Sequence, residues 1–212
     1  DLENYPRTLE SDKEKLISQS CDVLFLPSEE EMYTSPPTDR YDFGHLGEVL
    51  EGANRPGHFN GVAQIVRRLF EAVRPHRAYF GKKDFQQLAV IRKMVKDLFM
   101  PIKIVGVPTA RDADGLAKSS RNGYLSQEER SIAPALSKVI NSIASKIREG
   151  EQNFTQLTNE AEAQLRDNQF RPDYFNIVNS ETLEPADKST QSITILAAAY
   201  LGDTRLIDNL TL

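Results

Sequence analysis

Lys82, Lys83, Lys118 and Arg121 are four cations on two short segments, GKKD (81–84) and AKSSR (117–121), and Ser119 and Ser120 lie between two of them. Ammonium and guanidinium groups, serine hydroxyls and the N–H groups at a helix start together suit phosphate oxygens. Any one of these lysines, taken alone, reads as a solvated loop residue. The combination, on two segments that leave strand ends, points to phosphate. No GxxxxGK[ST] run is present, so the site is not a Walker A loop. Lys82 and Lys83 also sit immediately before a helix, whose N-terminal end carries partial positive charge. An exposed cation there is disfavoured by about 0.3–1 kcal/mol, so a bound anion is expected to offset it.

Around these cations lie groups with two readings each. Asp84 is either an N-cap or an acceptor for ribose hydroxyls. Gln87, three residues on, either closes a capping box with Asp84 or reaches into the crevice. Arg55, in EGANRPGHFNG, precedes a second helix start, and His58 shares that turn as a structural hydrogen-bonder. His45 and His76 are isolated and receive no role. No spacing of His, Cys, Asp and Glu suggests a protein-held transition metal, and no nucleophile–base pair stands out.

The elements that must position these groups alternate between strand and helix. Residues 9–19 are polar and helix-compatible. CDVLFLPS (21–28) reads as a short buried strand with Cys21 as a buried thiol, and EEEMYTSPPTDRYDFG as a loop. HFNGVAQIVRRLFEAV is an amphipathic helix with Val62, Ile65, Val66, Leu69, Phe70 and Val73 on one face, stopped before Pro75. Strand 77–81, helix 85–98 and strand 102–108 form a βαβ unit with parallel strands. The fold class is therefore α/β: an open, doubly wound, mostly parallel sheet with its ligand outside the carboxyl ends of the strands. After residue 109 the pattern changes. Residues 126–150 read as one long helix, with a Ser126–Glu129 capping box and Gly150 as its stop. A second helix follows from 153, and three strands then run without intervening helices. This is a small α+β domain with an antiparallel sheet.

The 212 residues carry a formal charge of −5, which gives no support for a nucleic-acid partner or an anionic membrane surface. Hydrophobic residues make up 39% and charged residues 27%, as in ordinary soluble domains. The single cysteine, Cys21, excludes an intrachain disulfide, and no apolar stretch approaches a membrane span. A reducing, cytoplasmic setting is expected.

Several stretches resemble one family. EGANRPGHFNGV, YFGKKDFQQLAVIRKMV, IVGVP and DGLAKSSRNGYLS are similar to segments of the pantothenate synthetases, the pantoate–β-alanine ligases. YPRTLESD near the start and AAAYLGDTRLIDN further on match as well. The resemblance implies a Rossmann-like nucleotidyltransferase domain over 1–109 and a C-terminal lid domain over 110–212. It implies ATP, pantoate and β-alanine as substrates, Mg²⁺, a pantoyl-adenylate intermediate and a homodimer. By motif, Gly81, Lys82, Lys83, Asp84, Ala110, Lys118, Ser119, Ser120 and Arg121 belong to the ATP site. Lys83, Ser119, Ser120 and Arg121 face phosphates and carry the catalysis, Asp84 and Gly81 face the ribose, and Ala110 lies by the adenine. Gln87, Arg55 and Tyr5 belong to the pantoate pocket.

Two positions depart from the family, Lys82 standing where Glu is frequent and Lys118 where Met or Leu is usual; both add positive charge. The family's opening strand, its histidine-bearing loop and the helix after it have no counterpart here. The chain is thus expected to start partway into the first domain and to lack ligase activity by itself. The alternative readings are a non-catalytic nucleotide-binding or dimerisation fragment, and another nucleotidyltransferase.

Overall fold

The computed structural model describes residues 8–33, 35 and 38–212. The chain divides into two compact units, Asp1–Thr38 and Asp39–Leu212. In the first, helix α1 (Leu9–Ser18) buries none of its residues and is laced by Lys13–Glu10 and Lys15–Asp12 pairs at 2.7 and 3.2 Å. A second, one-turn helix α2 (Glu29–Met32) lies in the stretch expected to be loop. Ser28 and Glu31 close a capping box around it, a local signal strong enough to fix a single turn. Residues 21–28 do not form the expected strand. Val23, Leu24, Phe25 and Leu26 are exposed, and so is Cys21, whose thiol donates to the Val23 carbonyl at 3.4 Å. A strand exists only through its ladder, and among the described residues none pairs with this run.

In the second unit the chain makes helices α3 (His45–Glu48), α4 (Glu51–Asn54) and α5 (His58–Val73), then strand β1 (Arg77–Gly81), helix α6 (Phe85–Asp97) and strand β2 (Lys103–Val107). β1 and β2 are parallel, in register from Arg77↔Lys103 to Gly81↔Val107, as the βαβ pattern requires. α5 buries Phe59, Ala63 and Phe70, with Val62 and Val66 packed partly behind them. Its apolar face is therefore rotated from the expected one, and Val73 is exposed. The helix ends on Arg74 in the left-handed conformation (φ 50°), one residue before Pro75, which disfavours helix in the residue preceding it. α6 contributes Val90, Ile91, Met94 and Val95 to the same core.

A 3₁₀ turn (Ser120–Tyr124) then leads to helices α7 (Gln127–Ile132), α8 (Ala135–Arg148) and α9 (Phe154–Asp167), and to strands β3 (Arg171–Asn179), β4 (Ile193–Leu201) and β5 (Thr204–Thr211). The long helix expected over 126–150 is two helices. Pro134 has no N–H to give to the carbonyl one turn back, so α7 stops and α8 restarts on it. The Ser126–Glu129 capping box is present, and Gly150 turns left-handed (φ 102°) after α8. β3, β4 and β5 form an antiparallel sheet in that order, against which α8 and α9 pack through Ile140, Ile143, Leu157 and Leu165. A smaller cluster of Val178, Leu183 and Leu196 takes in Val49, Leu50, Phe85 and Tyr174, and so joins this sheet to the start of α6. Among the described residues no helix is long and apolar enough to cross a membrane.

Candidate active site

The GKKD segment leaves β1 and turns into α6. Lys82 donates its N–H to the carbonyl of Val107 at 2.8 Å, extending the β1–β2 ladder by one bond. Gly106 of β2 lies beneath; a Cβ there would stand 3.2 Å from Lys82 Cε, so glycine leaves room for the lysine stem. Asp84 occupies the N-cap position but makes no side-chain cap bond. Its backbone (φ −89°, ψ 65°) is not the extended form from which a cap carboxylate reaches the N–H groups of the first turn. The expected Asp84–Gln87 capping box is therefore absent.

Gln86, not Gln87, does the tying. It is buried, accepts from the Glu51 N–H at 3.1 Å and donates to the Leu46 and Val49 carbonyls at 2.8 Å each. It fixes the segment that precedes Arg55 and His58. Its neighbour Gln87 is half-buried in the first turn of α6.

The second segment is a narrow hairpin. Arg111 bridges Ala117, the Asp112 N–H donates to the Leu116 carbonyl at 2.9 Å, and Gly115 makes the reversal at φ +93°. Lys118 donates its N–H to the carbonyl of Ala110, an exposed residue. The Lys118 ammonium is paired with Asp112, which also meets Arg130 at 3.1 Å, while Asp114 meets Arg130 at 2.6 Å. These cations hold both carboxyls below their usual range, chiefly through hydrogen bonds from Lys118 to Asp112 and from Arg130 to Asp114. Ser119 caps the 3₁₀ turn by accepting from the Arg121 N–H at 3.2 Å. Ser120 and Arg121 are the first two residues of that turn.

The two segments meet electrostatically at Lys83. Burial pushes its ammonium pKa down; Asp84 and Asp208 push it up, Arg121 adds to the lowering, and Glu51 opposes it. Asp84 and Arg121 thus both lie close enough to Lys83 to act on its charge, in opposite directions. His58 belongs to the same neighbourhood. Burial and then Arg55 lower its pKa, against Glu51 and Asp84. Arg55 is exposed at the C-terminal cap of α4. Tyr5 lies outside the described residues.

Two groups missing from the sequence reading complete the site's frame. Asn209 of β5 donates to the carbonyls of Lys82 at 3.0 Å and Lys83 at 2.8 Å. Asp208, also buried, accepts from Arg111 through both guanidinium branches at 2.6 and 2.8 Å. The adjacent polar pair Asp208–Asn209 breaks the alternation of β5 but does not by itself point to a site. Among the described residues, no group of three or more His, Cys, Asp or Glu is placed to hold a metal ion.

Comparison with known proteins gives a consistent result. The family model for pantoate-beta-alanine ligase matches residues 1–211. A pantothenate synthetase of Pseudomonas entomophila is 52% identical over 100% of this chain and 75% of its own length. One of Pseudomonas fluorescens is 53% identical with the same coverage. The crystal structure of pantothenate synthetase from Thermus thermophilus has a TM-score of 0.93 at 45% identity, covering 99% of this chain and 76% of that one. The pantoate-beta-alanine ligase of Francisella tularensis, solved in complex with beta-gamma ATP and beta-alanine, has a TM-score of 0.76 at 32% identity, covering 99% and 72%.

Proposed function

The chain belongs to the pantoate-beta-alanine ligase family, and on that premise we propose that the intact protein condenses pantoate with β-alanine at the expense of ATP. The pantoate carboxylate attacks the α-phosphorus, forming pantoyl adenylate and releasing pyrophosphate. The β-alanine amine then attacks the acyl carbon, and AMP leaves. Neither step needs a covalent bond to the protein, so positioning and charge stabilisation can carry the rate.

The observation that supports this reading best is that Lys83 and Arg121 come from two separate loops held by one dipeptide of β5, Asn209 donating to the Lys83 carbonyl and Asp208 binding Arg111 of the hairpin that precedes Arg121. We assign both to the phosphates, with Ser119 and Ser120 beside them. Lys82 and Lys118 belong to the same ATP site; Lys118 must exchange Asp112 for phosphate to act there. Gly81 and Asp84 take the ribose, Ala110 the adenine, and Gln87, Arg55 and Tyr5 the pantoate. Mg²⁺ accompanies ATP in this reading. The described residues offer it no cluster of ligands, so its partners would be phosphate oxygens and water. The functional division of the chain is a nucleotide-binding domain to residue 109 and a lid from 110, and the assembly is a homodimer.

The test is an assay of the full-length protein with each substrate omitted in turn. Pantothenate and AMP should appear in equal amounts only when pantoate, β-alanine and ATP are all present. AMP release that continues undiminished without pantoate would overturn the assignment.

A further inference from the structure

β5 alternates cleanly for most of its length. Thr204, Leu206 and Asp208 are buried on one face, and Arg205 and Ile207 are half-buried on the other. The period of two puts Asn209 on the half-exposed face, yet it is only 7% exposed. What covers it is the GKKD turn. An asparagine amide has two N–H donors, and here Nδ2 serves two carbonyls, those of Lys82 and Lys83.

That arrangement orients the turn. In a trans peptide the C=O and the following N–H point in opposite directions, and the chain has no cis peptide bonds among its described residues. With the carbonyls of Lys82 and Lys83 turned toward β5, the N–H groups of Lys83 and Asp84 point away from it. Successive N–H groups presented on one side of a turn make an anion-binding concavity. Next to Asn209, Asp208 accepts the Asn209 N–H at 2.8 Å and grips Arg111. Arg111 in turn donates to the Gly115 carbonyl at 3.0 Å, within the hairpin that leads to Lys118 and Ser119. One dipeptide therefore anchors both cationic loops.

We propose that Asn209 is a positioning residue for adenylation: it sets the peptide orientation and the placement of Lys83, while Asp208 ties the 111–117 hairpin to the same strand. The proposal rests on the ligase reading above. It touches no substrate and acts through the Lys82–Lys83 backbone.

The experiment uses Asn209→Leu, close in size but without a donor, and Asn209→Ala, which removes the amide with the least risk to folding. Full-length wild-type protein is first shown to form AMP in a pantoate-dependent way; failure there sinks the ligase reading and the role in adenylation with it, while hydrogen exchange tests the orienting of the turn separately. In either variant kcat should fall by about 10²-fold, the cost typical of small misplacement of a reacting group, with KM for β-alanine unchanged. Amide hydrogen exchange should quicken at Lys82 and Leu88, whose N–H groups donate to the Val107 and Asp84 carbonyls at either side of the turn, and remain as in wild type over α9. A kcat equal to wild type at a temperature where the variant is folded would overturn the proposal. So would unchanged exchange at Lys82 and Leu88, which can be read even if the protein has no ligase activity.

Discussion

Arg205 grips Glu51 with both ends of its guanidinium, Nη1 to Oε2 at 2.9 Å and Nη2 to Oε1 at 2.6 Å, across 154 residues of sequence. The same arginine meets Asp173 through Nε and Nη2, and Glu51 also accepts from the Tyr174 hydroxyl at 2.9 Å. Asn54 of α4 completes the group by donating to Asp173 at 3.0 Å. The antiparallel sheet is thereby bolted to the α4 turn that carries Arg55.

Removing the charge from one partner should be costly. Glu51→Gln leaves Arg205 with Asp173 alone in a site where both Glu51 and Arg205 are largely covered. We expect a loss of about 2–3 kcal/mol, below the roughly 3–5 kcal/mol typical of fully buried pairs because some solvent reaches the site. Chemical denaturation of wild type and variant measures it. A change below experimental error would mean that the bridge adds nothing to stability.

The same carboxylate sets an acid limb. Glu51 is held below its ordinary value: burial opposes ionisation, but the hydrogen bond and charge of Arg205 and the Tyr174 hydroxyl outweigh it. A depressed carboxylate pKa means that the unfolded chain binds the proton more readily. The stabilisation is therefore complete above the unfolded value of about 4.3 and is lost as the pH falls through the lower folded value. Melting temperature plotted against pH should drop more steeply below that point in wild type than in Glu51→Gln. Parallel curves would contradict the assignment.

Lys83 should show the opposite sensitivity. Its ammonium is destabilised by burial, so the free enzyme loses this cation as the pH rises through a value below the usual lysine figure of about 10.4. An alkaline fall in kcat/KM is expected there, since that ratio reports the free enzyme. Lys83→Arg, which cannot deprotonate in this range, should lack the limb at whatever rate it retains. Lys83→Ala should lose about 10²–10³-fold in kcat while melting no lower than wild type, because it removes a partly buried charge. A large drop in melting temperature with normal turnover would make the lysine structural.

Gly202 turns the chain between β4 and β5 at φ +55°, and a Cβ built on it would collide with Oε1 of Glu129. Glu129 is committed to the Ser126 capping box through its other oxygen, at 2.7 Å. Gly202→Ala should cost about 1–2 kcal/mol from the left-handed backbone alone, more if the cap opens. Calorimetric melting checks this, and a variant as stable as wild type would show that the hairpin yields freely.

Much of the frame was legible because its signals are local. The β1–α6–β2 unit, the three antiparallel strands and the Ser126–Glu129 box each declare themselves within a few residues. Pro134 was also legible in principle, but the apolar periodicity on either side of it outweighed the break. Val23 to Leu26 have strand composition, yet composition cannot supply a hydrogen-bonding partner. At the site, the loops carrying Lys83 and Arg121 were recognisable from their chemistry. Asn209 was not: a lone asparagine on a strand has no signature, and its partners lie 126 and 127 residues earlier. Gln86 and Gln87 show the same limit. Adjacent and chemically identical, they part only when the helix decides which of them faces inward.

The bond from Asn209 to the GKKD turn also has a consequence in time. During synthesis the turn emerges long before the residue that holds it. At roughly 5–20 residues per second, the 127-residue separation amounts to roughly 6–25 s of translation. Over that interval β1, α6 and β2 can already pair, since their contacts are local, but the carbonyls of Lys82 and Lys83 can be met only by water. The chain therefore acquires its shape around the site well before the site acquires its final orientation, and a nascent chain paused anywhere before β5 would hold the lysines without the strand that aims them.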